Sequence, residues 1–281
     1  MKNWTVVLAN NLYATWIVAA KSTRRAMARK RCLILLAICS LPVLSVALWR
    51  VFAPIGGSDY QGPSAYEMYV FAAATSFLPF LVPLVPLFLG TAAINDEIEE
   101  KTIMFLFLRP VSKFTIVLAK TISVMLTSVA ILGGTMTLVF SICASSLSSK
   151  MIPGDLPMLL KDIGVFALAS FAYGGLFVLM GVFLRRPYIL GLFYVIAWDS
   201  YAAYLPGKAG LLNIKHYVTS IFPHQTQEQS PLRAALAVLC PHTPAEPMFA
   251  AFVLIGVGLV CAFLAYVAFQ ARDYGFEKPT A

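Results

Sequence analysis

Apolar residues occupy this chain in blocks too long for a soluble core, and polar residues gather in the gaps between them. Such blocks run over residues 32–52, 69–94, 114–146, 163–184 and 248–271, and another follows Arg185-Arg186-Pro187 and ends near Leu205. A bilayer core about 30 Å thick takes roughly 20 apolar residues in a helix, so the pattern predicts six membrane-spanning helices. Pro42 predicts a kink in the first. In the second, Pro79, Pro83 and Pro86 remove backbone donors on nearly one face. That span is expected to bend, and a broken helix of this kind is a candidate lining for a translocation path. The third block exceeds what a bilayer requires and carries Lys120 two turns inside, so Lys120 is expected to snorkel to the membrane surface. The fourth is rich in Gly and Ala, which let helices approach closely in lipid. Ahead of them all, Leu8, Leu12, Trp16, Ile17, Ala20 and Met27 recur near a helical period. Residues 1–31 are therefore expected to form an amphipathic elbow on the interface, running into the first span.

Composition strengthens the membrane reading. The chain is 59% hydrophobic and 12% charged, whereas soluble domains average about 45–50% and about 25%. Its net charge of +8 is concentrated. Residues 1–31 hold seven Lys or Arg and no acid, while the other fourteen basic and thirteen acidic residues nearly cancel. A basic block beside the first span is a topology signal and a lipid contact, which argues against nucleic acid as a partner. With six spans, Lys101, Arg109, Lys113, Arg185, Arg186, Arg272 and Lys278 fall on the side of that block. The short loops opposite hold Lys150 and Lys161, apart from Arg50 at a helix end; Lys208, Lys215 and Arg233 are spread through residues 206–247. The positive-inside rule then places both termini in the cytoplasm. The N-terminus has no small-residue cleavage motif and is not expected to be a cleaved signal peptide.

Few residues carry recognisable chemistry. The five cysteines lack CxxC spacing and read as small apolar side chains. Gly207-Lys208 lacks the upstream glycine of a phosphate-binding loop. No predicted span contains a histidine, and the serines within spans have no base beside them, which disfavours a hydrolase. His216, His224, Cys240 and His242 share the long stretch 206–247, but their spacings match no closed metal site, so they are expected to be solvated loop side chains. Asp199 is the acid expected well inside a span, among Tyr194, Trp198, Tyr201 and Tyr204 and near the outer boundary at Leu205. It is a candidate for gating or substrate contact, the alternative being a carboxylate held by Ser200 or a tyrosine.

One polar segment stands out between spans two and three. Four of the thirteen acids fall within Asp96 to Glu100, followed by Lys101-Thr102, the apolar block Ile103–Leu108, and Arg109-Pro110-Val111-Ser112-Lys113. Asp96 is placed to cap a short helix with Glu99 three residues on, and Glu97–Lys101 is a favourable i,i+4 pair. Pro110 pushes Arg109 out of helical geometry. The expectation is a rigid helix on the membrane surface with its acidic end in the water.

Residues 97–120 resemble the segment that follows the second span in type-2 membrane permeases of ATP-binding-cassette (ABC) exporters. The family pattern E-x-x-x-[GK]-T…L-x-x-[RS]-P-[VIL]-[SP]-[RK]…[GA]-K is matched at Glu97, Glu100, Thr102, Arg109, Pro110, Lys113 and Lys120, with Lys101 and Ala119 in place of the commoner glycines. The resemblance extends loosely over the chain: basic elbow, six spans, a large external stretch between spans five and six, and a short cytoplasmic tail. It implies an all-α permease occupying residues 1–281 as one membrane domain, in the cell (inner) membrane. Residues 95–113 would be a coupling helix docking on a separate ABC ATPase subunit, through Glu97, Glu99, Glu100, Lys101, Thr102, Arg109, Pro110 and Lys113. A second permease subunit would complete the transporter. No cofactor is expected in this chain, ATP and Mg2+ belonging to the ATPase, and no catalytic residue is expected. An ATP-independent secondary transporter or a membrane scaffold is the competing reading, the former requiring carboxylates near mid-membrane. Neither pattern nor resemblance names the substrate.

Overall fold

The computed structural model describes residues 4–28, 30–52, 64–99, 113–145, 156–184, 186–199, 213–222, 224 and 245–271, with side chains excepted at 4–14, 96–99, 113 and 271. Every element among them is helical. An apolar chain in lipid must satisfy its backbone internally, and the helix does so within one segment. In chain order they are α1 (Trp4–Met27), α2 (Lys30–Phe52), α3 (Ala65–Ala72), a π-helical stretch (Ala73–Leu81), α4 (Val82–Glu99), α5 (Lys113–Ala144), α6 (Leu156–Phe183), α7 (Pro187–Phe193), a second π-helical stretch (Tyr194–Asp199), α8 (Ile214–Ile221) and α9 (Pro247–Ala271).

Five helices are long and apolar enough to cross a membrane: α2, the α3–π–α4 unit, α5, α6 and α9. The block predicted as the fifth of six spans is shorter among the described residues. It comprises seven α-helical residues and six π-helical ones, ending at Asp199. At about 1.5 Å per residue this reaches roughly 20 Å, two-thirds of the hydrocarbon thickness.

Contacts fix how the helices alternate. At one end, Arg31 Nη1 at the start of α2 donates to Tyr188 Oη at the start of α7, 2.8 Å away. There too the Phe114 ring at the start of α5 meets Tyr266 near the end of α9, edge to face at 5.6 Å. At the other end, Arg50 of α2 donates to the Ser145 carbonyl after α5 at 3.0 Å, and Tyr69 of α3 reaches Asp162 of α6. The first is called the basic end, after Lys30, Arg31 and Arg186, and the second the far end.

Helix α6 is the centre of the bundle. It packs against α4, α5 and α9 along its length. Its small residues make that possible: a Cβ built on Gly175 would stand 2.8 Å from the Gly258 carbonyl oxygen of α9, so only glycine permits this approach. By contrast α2 and α9 leave large apolar side chains outside the bundle, among them Leu33, Leu41, Leu48, Phe252 and Phe263. Those faces suit lipid.

The elbow is a helix, and it packs along α5. Small residues make the contact: Thr15 and Ala19 are buried, and Thr23 Oγ1 lies 3.1 Å from Ser123 Oγ. The larger apolar residues of its predicted stripe, Trp16, Ile17 and Met27, face outward.

The second span departs from the broken helix its prolines suggested. The chain stays helical from Ala65 to Glu99, and the wider π turn takes in Pro79. Lengthened i→i−5 bonding, seen where the Val82 amide donates to the Phe77 carbonyl, keeps the helix continuous around a residue with no donor. Pro83 and Pro86 follow in the first turns of α4, both buried. Lys120 is a second departure. It is 7% exposed among the helices rather than snorkelling outward.

Candidate functional site

The stretch 206–247, expected to be hydrophilic and external, contains a short helix that is part of the packed interior. Asn213 caps it, its Oδ1 accepting from the Lys215 amide at 3.1 Å. Ile214, Val218, Thr219 and Ser220 are buried, and α8 packs against α6, α9 and the π stretch of the second span. Its apolar side chains recur at i and i+4, which gives an eight-residue helix a single face to bury.

A buried carboxyl group sits at each end of α8. At its start, Asp199 is 1% exposed. Tyr173 Oη donates to both carboxylate oxygens, at 3.0 and 2.9 Å, and Asn213 Nδ2 donates to the Asp199 main-chain oxygen at 2.9 Å. Lys215 in the first turn of α8 adds positive charge nearby. Of the two holders expected, Ser200 or a tyrosine, a tyrosine is found, Tyr173 of another helix, and Ser200 lies outside the described residues. The expected depth is corrected as well. Tyr173 lies ten residues from the basic end of α6, about 15 Å along the helix and so about mid-membrane. Asp199 is buried at that level among the helices rather than near the outer boundary.

At the other end of α8, His224 is 8% exposed. Its Nε2 lies 3.0 Å from Asp162 Oδ2, its Nδ1 3.1 Å from Tyr66 Oη, and Tyr69 Oη donates to the same Oδ2 at 2.6 Å. The reading of His224 as a solvated loop residue is overturned: the segment that carries it folds back between spans instead of standing in water. Asp162 is fully buried. It escaped the hydropathy reading because the fourth span was begun at Ile163, just past Asp162, whereas α6 starts seven residues earlier at Leu156. Leu159 and Phe166, three before and four after Asp162, are buried on the same face and could have revealed it. His216 is half-buried on α8, and His242 and Cys240 lie outside the described residues. Cys32, Cys39, Cys143 and Cys261 are free and buried. Among the described residues no three potential metal ligands converge.

The other site residues are less fully described. Pro79, Pro83 and Pro86 sit in the second span, which packs on α6, and its π stretch also touches α8. Helix α4 continues through Glu99, so Asp96, Glu97 and Glu99 form its last turn and Asp96 does not open a separate helix. With neither Gly nor Pro between Asn95 and Glu99, nothing in that stretch stops the span. Lys113 is the first residue of α5. Glu100, Lys101, Thr102, Arg109 and Pro110 lie outside the described residues.

A helical bundle with apolar outer faces and five helices long and apolar enough to cross a membrane is a multi-pass membrane protein. The model of the family described as ABC-2 family transporter protein matches residues 27–198. This chain belongs to that family. It is a membrane permease of an ABC transporter, the component that in this family is typically not itself an enzyme, and family membership implies association with an ABC ATPase and a membrane. No curated protein matches the chain.

Proposed function

We propose that this chain is the permease subunit of an ABC exporter, moving its substrate by ATP hydrolysis in a separate ATPase polypeptide. The observation that carries the reading is the family match over residues 27–198, which includes the whole of the 95–113 segment. Six spans with both termini in the cytoplasm follow from the positive-inside rule, the basic end being cytoplasmic. The short helix Pro187–Asp199 contributes the fifth of those spans together with the residues after it. The protein then resides in the cell (inner) membrane, with residues 206–247 opening on the outer side.

Residues 95–113 act as the coupling segment. Glu97, Glu99 and Glu100 offer charge to the ATPase, while Arg109, Pro110 and Lys113 set the geometry where the chain turns into α5. Because α4 runs unbroken into the acidic turn, a push on that turn is delivered directly to the second span. A second permease subunit completes the path, and the apolar outer faces of α2 and α9 are available to it or to lipid.

Affinity purification of the chain from its native membranes tests the reading. An ABC ATPase is expected to co-purify, and recovery should fall about tenfold or more on reversing both charges in Glu97→Lys/Glu100→Lys, with membrane insertion unchanged. Undiminished recovery with the double variant would remove the coupling assignment. Absence of any ATPase from the wild-type preparation would remove the transporter reading. A carboxyl group at mid-membrane, Asp199, is also what a secondary transporter requires. Uptake or efflux by vesicles lacking ATP distinguishes the two, and none is expected.

A further inference from the structure

Helix α8 is fastened at both ends, and the second fastening depends on a proton. His224 is enclosed by Tyr66 and Tyr69 of the second span and by Phe222, with ring centroids 5.9, 5.7 and 4.7 Å away. Both of its nitrogens are engaged, Nε2 by Asp162 and Nδ1 by Tyr66. Asp162 takes two donors on Oδ2, while its Oδ1 is buried with no hydrogen-bond partner among the described residues. Among the described residues, the titratable groups facing the pair are Tyr66 and Tyr69 from the second span, with Cys143 of α5 near Tyr69. None of these can supply positive charge. Lys161, the sequence neighbour of Asp162, is exposed, and Glu67 bonds back to the Ser64 amide.

We propose that Asp162 and His224 form a proton-binding latch that fastens the far end of α8 to the second and fourth spans when the imidazole is protonated and frees it when the proton leaves. A tyrosine hydroxyl donates or accepts with equal ease. With imidazolium, Nε2–H serves the carboxylate and Nδ1–H serves Tyr66 Oη. With neutral imidazole, Tyr66 donates to Nδ1 and Nε2–H still serves the carboxylate. The hydrogen bonds therefore survive both states while the charge does not. Protonated, the site is a neutral ion pair. Deprotonated, it is a buried carboxylate that has, among the described residues, no countercharge and one oxygen without a partner, which a dry interior strongly disfavours. Water is the available relief, and it enters if the segment covering the site, residues 213–224, lifts away. The imidazolium gains its partner only in the closed form, so closure is favoured at low pH and lost as pH rises.

Hydrogen–deuterium exchange of the amides of residues 214–222, on the full chain in phospholipid nanodiscs, reads the latch directly. After correction for intrinsic exchange, protection is expected to fall roughly tenfold or more as the pH is raised, with the amides of residues 165–178 unchanged. Asp162→Asn/His224→Gln, which keeps polar groups but no charge, should flatten that dependence. Tyr66→Phe removes the acceptor for the second imidazolium proton and should move the midpoint to lower pH. A flat wild-type profile overturns the proposal, as does a pH dependence retained by the double variant. If the double variant does not fold, an unmoved midpoint in Tyr66→Phe decides against it. The measurement needs no ATPase, so its failure is separate from failure of the transporter reading.

Discussion

The two buried aspartates hold the same short helix by opposite means. Asp199, at mid-membrane, has both carboxylate oxygens bonded by Tyr173, its main-chain oxygen bonded by Asn213, and Lys215 close by. Nothing in that set needs to change for it to persist. Asp162, at the far end, has one oxygen doubly bonded and the other without a partner among the described residues, and its countercharge is a histidine. The spacing is matched, since Asp162 and Tyr173 are eleven residues apart on α6, as are Asn213 and His224 on the segment that carries α8. One attachment is a fixed anchor and the other is conditional. A helix held this way pivots at its inner end.

The largest effect is expected from the fixed anchor. Tyr173→Phe strips a donor from both oxygens of a group with no water at hand, and should cost about 2–3 kcal/mol of stability. The midpoint of thermal unfolding in detergent measures it. Tyr173→Phe combined with Asp199→Leu should cost less than Tyr173→Phe alone, because the buried carboxylate that lost its donor is then gone. A harmless Tyr173→Phe would break the comparison, since the anchor would then be held by something else. Tyr69→Phe comes next, at about 1–2 kcal/mol, because His224 still serves the same Asp162 oxygen. Asn213→Ala removes the cap of α8 and should cost about 1 kcal/mol, read as faster amide exchange in α8 with α6 unaffected.

The architecture was legible where the signal was repetitive and opaque where it was brief. Long apolar runs located α2, the second span, α5 and α9 to within a few residues, and α6 to within seven at its start, because each must fill the bilayer with one helix. Segment 213–224 was misread because a buried helix of eight residues has two turns in which to show its period, and Lys215 and His216 mask it. Asp199 stood out as an acid among apolar neighbours, but its depth depends on which helices pack around it, and no run length states that. Lys120 was taken for a snorkelling residue because sequence shows distance from a span's end and not which neighbours cover it. The three prolines carried a true signal, a departure from α geometry, but π bonding absorbed it without a break. The family pattern at residues 97–120 was readable from residue types and spacing, which do not depend on tertiary contacts.

The smallest effect belongs at the basic end, where a polar contact of similar length faces water. Arg31 Nη1 is 2.8 Å from Tyr188 Oη, and the guanidinium carbon lies 5.6 Å from the ring centroid. By distance alone this contact equals those of Tyr173 with Asp199. It differs in exposure: either partner, if abandoned, is rehydrated at once, so Arg31→Gln should change stability by less than about 0.5 kcal/mol. The unfolding midpoint that reports Tyr173→Phe reports this variant too. Two substitutions that each delete contacts near 3 Å would then differ several-fold, with burial as the variable that separates them. A loss from Arg31→Gln as large as that from Tyr173→Phe would mean that hydrogen-bond number, and not exclusion of water, sets the strength of these attachments. The conditional character assigned to Asp162 would lose its physical basis with it, because that assignment rests on a dry carboxylate having nowhere else to turn.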